Sequence, residues 1–158
     1  MRSLLLVLAL LLGGILLPGS VAAQLLDAKV ISLEAARRMA DAAEAEARRN
    51  RWNVAIAIVD AAGELILFHR LDGVQPASLD IAVQKARTAA RFRRPTKALQ
   101  DALENGRTAL LALDGVLPLE GGIPVVVDGQ TIGAIGVSGV TSQQDAQIAQ
   151  AGVSALRR

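Results

Sequence analysis

An Asp128-Gly129 pair stands between two short apolar runs, residues 123–127 and 131–137, and no other feature limits the fold of this chain so sharply. Both positions of a two-residue hairpin turn need positive φ, which Asp tolerates and Gly prefers, so the pair predicts an antiparallel hairpin. A second hairpin is predicted upstream, where residues 52–60 and 64–70 flank Ala61-Ala62-Gly63. The nearly continuous apolar character of that pair predicts strands covered on both faces or meeting a partner subunit. With one more strand around residues 108–113, the expectation is an antiparallel sheet of about five strands.

Helical periodicity fills the intervals. Ser32 is placed to cap a helix starting at Leu33, in which Leu33, Ala36, Ala40, Ala43 and Ala47 recur at three- and four-residue steps. Pro76 ends a loop before a helix from about Ser78 to Arg91, and Pro95-Thr96 opens a short helix that Gly106 stops. Thr141 with Gln144 fits a capping box for a last helix over residues 142–156. The class is therefore α/β (α+β), one domain with helices on the faces of an antiparallel sheet.

Composition excludes several functions. There is no Cys, which removes disulfides, thiolate metal sites and cysteine nucleophiles. A single histidine, His69, excludes any site needing two imidazoles from one chain. With one Trp, two Phe and no Tyr, there is almost no platform for stacked bases, and the formal charge is only +2. A nucleic-acid partner is not expected. Residues 1–23 have Arg2, an apolar run and the small residues Val21-Ala22-Ala23, the pattern of a signal peptide cut after Ala23. Residues 24–158 are then the domain, periplasmic or secreted, with no stable membrane insertion after cleavage.

The ordered motifs Asn53–Asp60, Gly63, Arg70-Leu71-Asp72-Gly73, Lys85-Ala86-Arg87-Thr88-Ala89, Arg94-Pro95-Thr96, Gly121-Gly122-Ile123-Pro124 and Gly133–Gly139 resemble the GlcG/HbpS-like family. The resemblance spans roughly residues 33–156. It implies a profilin-like sandwich, assembly into a homo-oligomer, and in some members haem binding with a redox-sensing or haem-degrading role. Related domains occur beside corrinoid adenosyltransferases.

Several residues are candidates for a site. Arg70 and Asp72, two apart on an extended segment, either clamp an acidic ligand group or pair with each other to pin the loop at Gly73. Lys85 belongs to a cation-rich stretch with Arg87, Arg91, Arg93, Arg94 and Lys97, where one or two would suit haem propionates and the rest a solvated face. Thr88 is either an oxygen ligand or an ordinary helix hydroxyl. Gly121 and Gly122 before Pro124 either turn backbone amides toward an anion or make a tight bend into a strand. His69 is the one strong nitrogen ligand for a haem iron, or else a half-exposed strand histidine. Strand alternation puts it on the face opposite Arg70, so Arg70 is expected to matter more to a ligand. The expected cavity lies between the 70–73 loop, the 85–88 helix face and the 121–124 bend.

The leading expectation is an exported haem-binding carrier, buffer or redox sensor, with a periplasmic or membrane sensor as a compatible partner. An enzyme degrading haem or acting on a small carboxylate is the first alternative. An accessory periplasmic interaction protein without cofactor is the second.

Overall fold

The computed structural model describes residues 27–157; the cleavage point expected after Ala23 lies outside them. Helix α1 (Leu33–Arg49) begins where the Ser32 hydroxyl accepts from the Ala35 N–H at 3.1 Å. Two antiparallel hairpins follow in chain order. The first joins β1 (Ala55–Asp60) to β2 (Leu65–Arg70), and the second joins β3 (Gly122–Val127) to β4 (Gln130–Ser138). Between them lie α2 (Ala77–Phe92) and α3 (Thr96–Glu104), and α4 (Ser142–Ser154) closes the fold behind the expected capping box of Thr141 and Gln144. Among the described residues no helix is long and apolar enough to cross a membrane.

The sheet order is β2-β1-β4-β3, all antiparallel. One face carries Ile56, Ile58, Ile135 and Val137, and packs against Ala36, Met39, Ala40 and Ala43 of α1 and Ile148, Ala149 and Val153 of α4. The other carries Ala55, Ala57, Val59 and Ala134 under Ala82, Ala86 and Ala89 of α2. The second face is built of small side chains, which lets α2 lie close against the sheet. Gly136 carries this to its limit: a Cβ there would lie 2.1 Å from the Ala82 carbonyl oxygen. The space beside Gly136 is thus filled by a helix.

Asp128 and Gly129 both have positive φ, +48° and +76°, as their hairpin requires. The expected strand over residues 108–113 does not form. Thr108–Ala112 is a 3-10 turn instead, and among the described residues the sheet has four strands rather than about five. Only Leu110 of this run is buried, while Leu111 and Leu113 are exposed. Left-handed glycines, Gly106 and Gly115, stand on either side of this run, and it pairs with neither edge of the sheet.

Candidate functional site

The residues expected to share one cavity are divided between opposite edges of the sheet. Arg70 ends β2, an edge strand, and Gly122 begins β3, the other edge. Three strand spacings separate them, roughly 14 Å. None of the three clefts described below is lined jointly by the 70–73 loop, the 85–88 face and the 121–124 bend.

At the β3 edge the candidate groups are consumed by packing. Lys85 is only 1% exposed, and its Nζ donates to Asp145 Oδ2 at 2.8 Å and to the Val137 carbonyl at 3.1 Å. Burial pushes the Asp145 carboxyl above the ordinary aspartate range, against the opposing pull of Lys85 and of the Val140 and Gly139 backbone. Thr88 donates to the Gly115 carbonyl and accepts from the Leu117 N–H, tethering the loop between α3 and β3. The Gly122 N–H donates to the buried Thr96 hydroxyl at 2.9 Å, so it faces no ligand. A Cβ on Gly121 would meet Lys85 Nζ at 2.8 Å, and one on Gly122 would meet the Lys85 carbonyl at 2.3 Å. The two glycines clear a passage for the lysine and for α2. Pro124 sits half-buried on the edge strand, where its missing N–H costs no ladder bond.

The cation-rich stretch is scattered as helical geometry demands. Arg87 and Arg91 donate to the Gly63 and Ala62 carbonyls and hold the β1–β2 turn, while Lys97 pairs with Asp101.

The β2 edge is different. Arg70 is exposed, and no ion pair joins it to Asp72 among the described residues. Asp72 instead lines a cleft of about 300 Å³ with Arg48, Arg51, Trp52, Asn53 and Leu71. Arg51 is the residue at which the chain leaves α1, and it is held in the left-handed region at φ +58°. That conformation normally falls to glycine. Trp52, the sole indole, is half-buried against the core beneath it. A larger cleft of about 580 Å³ beside the β3–β4 turn has one cation, Arg93, and neither aromatic nor imidazole. A third, about 510 Å³, is lined largely by alanines of α1 and α4.

A chain of charge-assisted contacts runs from the first cleft along α1. Arg48 lies 2.6 Å from Glu44 Oε1, and the second oxygen of Glu44 lies 2.8 Å from His69 Nδ1. Hydrogen bonding to Arg48, reinforced by His69, holds the Glu44 carboxyl below the ordinary glutamate range against the effect of burial. The pairing of His69 with Ile56 and of Arg70 with Ala55 puts imidazole and guanidinium on opposite faces, as alternation requires. Among the described residues no buried side-chain N or O lacks a partner and His69 Nε2 has none, so Nε2 keeps some contact with solvent. Sequence reasoning missed Glu44, Arg48, Arg51 and Trp52. The i, i+4 spacing of Glu44 and Arg48 was legible as a helix pair, but its convergence with His69 was not.

Protein GlcG of Escherichia coli K12 is 45% identical over 109 residues, covering 69% of this chain and 81% of that protein. A double mutant of Streptomyces reticuli HbpS superposes with a TM-score of 0.79 at 36% identity, covering 89% of this chain and 98% of that one. The solved PduOC:haem complex superposes with a TM-score of 0.76 at 30% identity, covering 80% of this chain and 95% of that one. The family model described as "Haem degrading protein HbpS-like" matches residues 31–154, nearly all of what the structure describes. By sequence and by fold, the chain belongs to the HbpS-like family.

Proposed function

We propose that this domain binds haem and serves, after export, as a haem carrier, buffer or redox sensor. The observation that carries the reading is its likeness, along most of its length, to a solved domain held in complex with haem. The residues present fit such a ligand in their donor chemistry. Arg51 and Arg48 offer guanidinium groups to propionates, Trp52 and Leu71 offer apolar surface, and Asn53 adds an amide. About 300 Å³ is at the small end of ligand sites and takes one edge of a macrocycle rather than the whole. A second copy of the chain laid over the exposed face would complete the enclosure, which is why the reading includes a homo-oligomer. Bound haem would supply an iron able to change oxidation state, the property a redox sensor needs.

Haemin titration of residues 24–158 tests this. Saturable binding with a discrete Soret band is expected. Uptake no tighter than onto an unrelated apolar protein would overturn the proposal, and a biliverdin-like product on adding a reductant would replace storage with breakdown.

A further inference from the structure

Resting on the haem-binding reading, we infer that His69 is the axial ligand to the iron through Nε2, with Glu44 as its positioning residue. Three observations on the β2 edge converge. His69 is the one imidazole in the chain, and no Cys competes with it as a strong iron ligand. Its Nδ1 lies 2.8 Å from a Glu44 carboxylate oxygen, an acceptor, so the neutral ring carries its proton on Nδ1 and its lone pair on Nε2. Glu44 is itself held on its other oxygen by Arg48, so the imidazole is braced by a two-link chain anchored on α1.

An imidazole whose far nitrogen donates to a carboxylate is the arrangement that metal-ligating histidines adopt, because it fixes tautomer and ring plane and raises ligand basicity. Arg48 also lines the cleft with Arg51 and Trp52, so ligand chain and cleft are contiguous through one side chain. This assignment ranks His69 above Arg70, the opposite of the order expected from sequence, with Arg70 on the α2 side of the strand.

The test compares ferric haem complexes of the wild type, His69→Gly and Glu44→Gln at matched far-UV circular dichroism. The wild type is expected to give the electronic and paramagnetic resonance spectra of a histidine-ligated haem. His69→Gly should lose that signature and regain it on adding free imidazole, a rescue that a folding defect would not show. Glu44→Gln should keep histidine ligation, bind iron about ten- to a hundredfold more weakly, and have a higher midpoint potential because its imidazole is less basic. If wild type and His69→Gly bind with the same spectrum, the ligand assignment falls while haem binding stands. If the wild type itself binds no better than an unrelated apolar protein, the functional reading falls and takes this one with it. An unchanged potential in Glu44→Gln would remove Glu44 from the assignment.

Discussion

Lys85 on α2 and Asp145 on α4 meet at 2.8 Å although their helices cover opposite faces of the sheet. The lysine reaches past the start of β3, where Gly121 at φ +124° leaves the space a side chain would fill. This ion pair fastens the two helical layers to each other around the sheet edge. Both groups are almost wholly buried, so each depends on the other to offset its desolvation.

Removing one partner should therefore be severe. Lys85→Met and Asp145→Ala are each expected to cost about 3–5 kcal/mol, since each leaves an uncompensated buried charge or its equivalent. The double variant Lys85→Met with Asp145→Ala should lose less than the two single changes added together. Urea unfolding of the four proteins measures the coupling, and strict additivity would show that the pair does not act as one unit.

Glycine positions should separate by what surrounds them. Gly136→Ala puts a methyl 2.1 Å from the Ala82 carbonyl and must push α2 off the sheet, at a cost of about 1–3 kcal/mol or more. Gly129→Ala meets open space and pays only for its positive φ, about 1–2 kcal/mol. Thermal melts of the two variants check the order. A smaller loss at Gly136 would contradict the close packing of α2.

Arg51 predicts a trade between stability and binding. Its left-handed backbone is strained for a residue with a Cβ, so Arg51→Gly should leave the fold as stable or up to about 1 kcal/mol more stable. The same change removes a guanidinium from the cleft and should weaken haem binding roughly ten- to a hundredfold, the loss of a charge-assisted contact of about 1.5–3 kcal/mol. Trp52, as the sole tryptophan, reports both events by fluorescence, with quenching on haem addition expected in the wild type.

Acid should loosen the β2 edge through Glu44. Its carboxyl ionises below its usual value of 4.5 in the fold, so its stabilisation is present above that value and is lost as pH falls through the lowered one. Asp145 has the opposite sign: its raised folded-state value favours the protonated form, and its contribution is lost as pH rises. The difference between wild type and Glu44→Gln isolates the first effect. That difference should shrink as the pH is taken below about 4.5, measured by urea midpoints across an acid series.

Local chemistry was legible without the fold wherever one short segment decides it. The Asp128-Gly129 turn needs only two residues with positive φ, the Ser32 and Thr141 caps need only a hydroxyl three residues from an orphan N–H, and alternation alone puts His69 opposite Arg70. What a residue does for a distant element was not legible. Lys85 and Gly121 carry the chemistry of an anion site in sequence, yet the tertiary structure spends them on Asp145, 60 positions from Lys85. The run 108–113 has the composition of a strand, but a strand exists only where the chain lies along a sheet edge, and this run pairs with neither edge. The Glu44–His69 contact likewise arises because α1 packs on the sheet face that His69 shares with Ile56, a relation between segments 25 positions apart. The sequence by itself determined the turns, the caps and the faces. Tertiary packing alone decided which charged groups are buried together and which stay open to a ligand, because desolvation depends on everything that surrounds a group and not on its neighbours in the chain.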